Sequence, residues 1–221
     1  MIAVHHLNNS RSQRVLWLLE ELGIPYEVVR YQRGPDMLAP PELKAVHPLG
    51  KSPVITDDGR TVAETGAIVE YVLEKYGQGK LVPPAGSDAK LRYTYWLHYA
   101  EGSAMPLLLL KLIFLRLPGQ VPGLLRPIIG MVARKVQQRL TDPQLAIALD
   151  FWSDELKLRG PWFAGADFSA ADIMMSFPVE AAAGRVGLGG HAALQDWLAR
   201  IHARPAYRRA LEAGGPYELM K

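Results

Sequence analysis

Asn9-Ser10-Arg11-Ser12 puts a carboxamide, two hydroxyls and a guanidinium between two kinds of pattern. Before it, Ile2-Ala3-Val4 is a short apolar run suited to a buried strand. After it, Val15, Leu18, Leu19 and Leu22 recur at i, i+3, i+4, i+7, one face of a helix. Polar donors at a strand end, facing a helix start with unpaired N–H groups, can hold an anion or a thiolate. The competing use is capping. Ser10 and Gln13 have S-x-x-Q spacing, which predicts a capping box. Gly23 followed by Pro25 predicts the helix end.

Two further pairs have chemical use. Ser52-Pro53 precedes a strand-like run; a proline there has a structural use, and a cis bond would turn the backbone of the preceding residue outward for β-like pairing with a peptide. Glu64-Thr65 opens a helical stripe and can cap it, or can hold a ligand carboxylate with Thr65 and an amino group with Glu64. The chain has no cysteine, which excludes disulfides, thiolate zinc sites and a cysteine nucleophile. Any thiol in the chemistry therefore belongs to the ligand. His5-His6 and His98 lack metal-ligand spacing, so no metal is expected. Net charge is +3, but Lys and Arg are dispersed, so no nucleic-acid partner is expected. Together the three pairs fit a short γ-glutamyl peptide with a thiol, lying across a sheet edge.

The elements that position these residues follow in order. Tyr26 to Tyr31 reads as a strand, completing strand–helix–strand. Gly34 to Pro48 reads as an irregular segment or short helix. Val54-Ile55-Thr56 and Arg60 to Ala63 read as strands around an Asp58-Gly59 turn, followed by a helix with Ile68, Val69, Val72 and Leu73 on one face. Gly77 to Gly86 is dense in Gly and Pro. From Ser87, a predicted cap, only helical patterns follow. Asp142-Pro143 predicts a helix start, and Ser169 with Asp172 a capping box. The fold class is α/β plus all-α: residues 1–79, a linker at 80–86, and an all-helical unit at 87–221. Ala104 to Leu117 is too short to span a membrane and carries Lys111 and Arg116; with no basic, apolar leader, a cytoplasmic protein without membrane partners is the expectation.

At these positions the sequence resembles the cytosolic glutathione S-transferase family. Gly50-Lys51-Ser52-Pro53 stands where the family has G-K-V-P with a cis proline, and Glu64-Thr65 where it has E-S. Ser169-x-x-Asp172 matches its late capping box, a folding motif. The resemblance implies a thioredoxin-like βαβ-ββα domain, glutathione as co-substrate, and a homodimer. It implies contacts of Lys51 with the glycine end, Ser52 and Pro53 with the cysteinyl unit, and Glu64 and Thr65 with the γ-glutamyl end. With no tyrosine in the opening strand and no cysteine, the thiol would be activated by Ser10, Asn9 or Ser12. Tyr99, Met105 and Leu108 would wall an apolar electrophile pocket. The implied activity is attack of the glutathione thiolate on a hydrophobic electrophile (conjugation, with peroxide reduction or isomerisation as variants), in the service of detoxification. A non-catalytic glutathione- or hydrophobe-binding protein of the same fold is the alternative, and a glutathione-independent helical docking module a third.

Overall fold

Strand β1 (Ile2–Leu7) is followed by helix α1 (Ser12–Leu22) and strand β2 (Tyr26–Tyr31), which pairs parallel to β1 from Ile2↔Tyr26 to Leu7↔Tyr31. The structure, a computed structural model, describes residues 1–34 and 38–219. Pro35, Asp36 and Met37 of the expected irregular segment lie outside the described residues. After a short helix α2 (Glu42–Val46), β3 (Val54–Asp57) runs antiparallel to β1, with Val4 opposite Ile55. β4 (Arg60–Ala63) closes a hairpin with β3, and α3 (Thr65–Tyr76) follows. The sheet order is β2-β1-β3-β4. Both hairpin turn residues have positive φ, Asp58 at 48° and Gly59 at 80°, as a tight two-residue turn between twisted strands requires.

The remainder is helical: α4 (Asp88–Tyr99), α5 (Met105–Arg116), α6 (Arg126–Val136), α7 (Asp142–Arg159), α8 (Ala170–Arg185), α9 (Ala192–His202) and α10 (Pro205–Gly214). Ser87 caps α4, its hydroxyl accepting the Lys90 N–H at 3.1 Å. The Ser169–Asp172 capping box at α8 is formed on both sides. Among the described residues no helix is long and apolar enough to cross a membrane.

Two expectations are corrected. Asp142 is not an N-cap ahead of a separate helix; it is already the first residue of α7. The chain passes from α6 through one π-helical stretch, Gln137–Thr141, straight into α7. Pro143 lacks an N–H, and it falls where that widened turn already breaks the regular ladder. The Asp142 carboxylate, released from capping, takes Lys111 Nζ at 2.7 Å. Nor is α1 buried on one face only: every residue from Ser12 to Leu19 is buried. The sheet and α3 cover one side, and α8 and α10 cover the other, with Trp17 edge-on to Tyr207 at 5.1 Å between ring centroids. A helix covered all round is a core helix, so the two units share α1.

The end of β3 is tied to α3 through buried Asp57, which accepts from Tyr71 Oη (2.8 Å), Lys75 Nζ (2.7 Å) and Tyr76 Oη (2.6 Å). Burial pushes this carboxyl up, but Lys75 and the two phenols outweigh it and hold it down at about 2. Its pKa is thus depressed in the folded protein. The stability it contributes is present above the ordinary value of 3.8 and lost as pH falls through about 2. Thermal midpoints of Asp57→Asn are expected to fall less steeply than wild type between pH 4 and 2; parallel curves would refute the assignment.

Candidate active site

The turn after β1 is built by asparagine. Asn8 N–H donates to Tyr31 O at 3.2 Å, and its Oδ1 accepts the Arg33 N–H at 2.9 Å. Asn9 has φ of 50°, a left-handed conformation asparagine tolerates better than most residues. Its Oδ1 accepts the Glu218 N–H at 2.7 Å, so the backbone at Glu218 lies on this turn.

Ser10 comes next, buried to 4% exposure. Its Oγ accepts the Ser12 N–H at 3.2 Å, lies 2.7 Å from Ser12 Oγ, and reaches 3.5 Å from Ser52 Oγ. The Ser10–Gln13 capping box is therefore not formed. α1 begins at Ser12, with Arg11 at the cap position making no side-chain cap bond. A hydroxyl bonding two residues on makes a local turn, which satisfies the same orphan donors by a shorter route. Ser12 stands behind Ser10 with no exposure; its Oγ accepts the Leu7 N–H at 3.3 Å and lies 2.9 Å from His6 Nδ1. Burial, and then Arg30, pull His6 down to about 4, so its ring is neutral at pH 7. β1 is three residues longer than the apolar run alone suggests, and that extension carries His6 to the serines.

The second and third pairs meet the first in one cleft. Ser52-Pro53 is a cis peptide bond, and Ser52 Oγ donates to His5 O at 2.9 Å. Glu64, at φ 72°, precedes α3 and is exposed; Thr65 is buried at its first position. A cleft of ≈ 210 Å³ is lined by Lys51, Ser52, Pro53, Glu64, Thr65 and, from the other wall, Arg11 and Glu101. The structure thus gathers five of the sequence-nominated residues around one space, with Ser10 beside Ser52 at its edge.

Reading the sequence alone misses an ion cluster below this cleft. Arg14 is buried on α1; its guanidinium donates to Met174 O (2.8 Å), to Thr65 Oγ1 (3.4 Å) and to Glu101 Oε1. Glu101 also takes Arg11 Nε at 3.0 Å. Burial pushes the Glu101 carboxyl up, but Arg14 and Arg11 hold it below its ordinary value. The available signal was a charged residue inside the apolar stretch of α1. Glu101 itself sits in a π-helical stretch, Ala100–Ala104, between α4 and α5, and such a widened turn re-aims a side chain.

The three residues nominated for the electrophile pocket lie outside this cleft. Met105 and Leu108 are in the core where α5 packs on α8. Tyr99 is half-buried, with its hydroxyl accepting Trp152 Nε1–H at 3.1 Å. None of the three lines the cleft. An apolar stripe at helical spacing marks a covered face without saying by what, and here neighbouring helices cover it.

Comparison with known proteins places this arrangement. A family model described as "Glutathione S-transferase, N-terminal domain" matches residues 1–74. The chain is 36% identical over 214 residues to "Glutathione S-transferase 3" of Schizosaccharomyces pombe, covering 96% of this chain and 87% of that protein. It is 32% identical over 221 residues to "Glutathione S-transferase 1" of Saccharomyces cerevisiae, covering 96% and 94%. Among solved structures, a glutathione S-transferase from Actinobacillus pleuropneumoniae superposes with a TM-score of 0.81 at 30% identity, covering 100% of this chain and 96% of that one.

Proposed function

The chain belongs to the glutathione S-transferase family, and from that premise we propose that it is a glutathione transferase whose thiol-activating group is Ser10. The observation that carries this reading is the single cleft joining Lys51, Ser52-Pro53, Glu64 and Thr65 with Ser10 at its edge. In it, the start of α3 and Thr65 receive the γ-glutamyl carboxylate, and Glu64 receives the amino group. The backbone of Ser52 pairs with the cysteinyl unit, and Lys51 faces the glycine carboxylate. The thiol then falls beside Ser10.

The energetics are within reach of one side chain. A free thiol of pKa about 8.5 is only ~3% ionised at neutral pH. Lowering it by ~2 units takes about 2.7 kcal/mol. A hydrogen bond to a charged group supplies about 1.5–3 kcal/mol, and a helix start about 0.3–1 more. Ser12 has the neutral His6 ring and the Leu7 amide as partners, so Ser10 can turn its proton to sulfur without stranding Ser12. The thiolate attacks the electrophile, forming the C–S bond as the leaving group departs with its electrons. Asn9 shapes the turn; Ser12 is too deep to touch a ligand.

Calorimetry is expected to give a glutathione dissociation constant between micromolar and millimolar, and a panel of one aryl halide, one hydroperoxide and one disulfide to show turnover with at least one. No heat and no thermal shift at high millimolar glutathione would overturn the reading. Light scattering tests the homodimer that family membership implies.

A further inference from the structure

Behind the cleft, Ser10, Ser12 and His6 form an unbroken hydrogen-bond wire. Ser10 Oγ lies 2.7 Å from Ser12 Oγ, and Ser12 Oγ lies 2.9 Å from His6 Nδ1. All three residues are buried. Two oxygens at that separation need a proton between them, and each hydroxyl has only one to give. The wire can therefore point in one of two ways. In one order, Ser10 donates to Ser12, and Ser12 donates to the Nδ1 lone pair. In the other, Nδ1–H donates to Ser12, and Ser12 donates to Ser10.

Only the second order leaves the Ser10 proton outside the wire. The remaining neighbours hold the constraint in place. Ser52, 3.5 Å from Ser10 Oγ, gives its own proton to His5 O. Ser10 Oγ already accepts the Ser12 N–H, and Ser12 Oγ the Leu7 N–H. Leu7 O, at 3.4 Å, is a distant acceptor for the Ser12 proton, and using it would again leave the two oxygens facing each other bare. The ring itself is held. His6 stands opposite Arg30 in the β1–β2 ladder, and a Cβ at Gly214 would come within 3.1 Å of His6 Cε1, so the end of α10 presses on the ring. Burial, then Arg30, work against a second proton on it. The ring therefore carries one proton, and the choice is which nitrogen holds it.

We propose that His6 is a positioning residue for thiol activation: a proton on its Nδ1 turns Ser12, and through it Ser10, to donate toward the glutathione sulfur. The proposal rests on the Ser10 reading above and deepens it. Ser10 then accepts from the Ser12 hydroxyl and donates to sulfur, and hydrogen bonds running one way along a chain strengthen one another. When the thiol ionises, its proton goes to solvent. Ser10 and Ser12 each keep one proton, and the neutral imidazole keeps its own on Nδ1. In the opposite tautomer, Ser10 reaches the sulfur only by leaving the Ser12 contact without a proton. The ring acts through Ser12 and not on the substrate itself.

NMR of protein labelled with nitrogen-15 histidine reads the tautomer directly. The chain has six histidines, and the His6 signal is the one missing from His6→Asn. In the thiolate complex with glutathione, His6 Nδ1 is expected to carry the proton; a bare Nδ1 there overturns the proposal. His6→Phe fills the space without a donor. It should raise the thiolate midpoint and lower kcat about 2- to 12-fold, the scale of one neutral hydrogen bond. Its affinity for S-methylglutathione should stay within about 2-fold. His6→Asn offers an amide N–H to Ser12 and should keep the midpoint near that of wild type. A packing role alone gives the reverse order, with Phe tolerated and Asn not. In a Ser12→Ala background, His6→Phe should add no further shift, because its path is gone; equal shifts in both backgrounds overturn the proposal. If circular dichroism shows that His6→Phe does not fold, the wild-type NMR result and His6→Asn decide. A midpoint that moves in Ser10→Ala but not in His6→Phe removes this proposal alone. A midpoint unmoved in Ser10→Ala removes the Ser10 reading and this proposal with it.

Discussion

Ser10→Ala is expected to lower kcat for conjugation by about 10- to 150-fold, the loss of one hydrogen bond to a charged group worth about 1.5–3 kcal/mol. Glutathione affinity should stay within about 2-fold, because the binding contacts proposed for Lys51, Ser52, Glu64 and Thr65 are untouched. The two effects separate because the hydroxyl favours the thiolate over the thiol. A group that acts on that difference moves the ionisation of the bound thiol, and turnover follows. The ultraviolet absorbance of the thiolate, titrated on the enzyme–glutathione complex, is therefore the sharper readout. Its midpoint should rise toward the free value of about 8.5 in Ser10→Ala. Asn9→Ala should leave that midpoint in place. Its Oδ1 is engaged by Glu218 N–H, so what it loses is the set of the turn. Ser12→Ala removes the partner of both Ser10 and His6, and should shift the midpoint less than Ser10→Ala does. An unchanged midpoint in Ser10→Ala would return the assignment to Asn9.

What the sequence disclosed and what it withheld follow from the range of the interactions. The strand–helix–strand and hairpin–helix units are punctuated locally. Gly23 ends α1 in a left-handed conformation, and Asp58-Gly59 makes the hairpin turn. Those signals need only a few neighbouring residues. The cleft was legible for a different reason: Lys51, Ser52-Pro53 and Glu64-Thr65 sit at element ends that the sheet topology brings together. The Arg14–Glu101 pair was not legible. Its partners are 87 residues apart in different units, and nothing local marks a salt bridge. The same holds for Met105 and Leu108. Periodicity fixes which face of α5 is covered, but only packing decides that α8 meets it. His6 lay between these cases. Its place in an extended β1 is local, whereas its role behind Ser10 depends on where α1 begins.

The place of Ser10 depends on α1 being held from both sides, and the second side hangs on Asp172. This carboxylate has no exposure, yet it accepts from Phe163 N–H (2.9 Å), Ser169 N–H (3.0 Å) and Trp197 Nε1–H (3.0 Å), with Ser169 Oγ at 3.4 Å. Burial pushes its pKa up to about 6 against the pull of those donors. Asp172→Ala removes the shared acceptor and strands three buried N–H groups from three parts of the helical unit. Each orphaned donor costs about 1–3 kcal/mol, so a loss of about 3–5 kcal/mol is expected even after some relaxation. At about 2–4 °C per kcal/mol for a chain of this size, the thermal midpoint should drop by roughly 6–20 °C. Ser169→Ala, which removes only the cap hydroxyl, should cost about 1 kcal/mol. Asp172→Asn should fall between them, since it keeps one oxygen but turns an amide donor toward the other donors. α8 also supplies Met174 O to Arg14 and Phe177 to the Arg11 and Arg14 guanidiniums. Activity in Asp172→Ala should therefore vanish with the melt, while the folded fraction below it binds glutathione as wild type does. Urea unfolding that finds Asp172→Ala within about 1 kcal/mol of wild type would show that the box is not what holds α8 against α1.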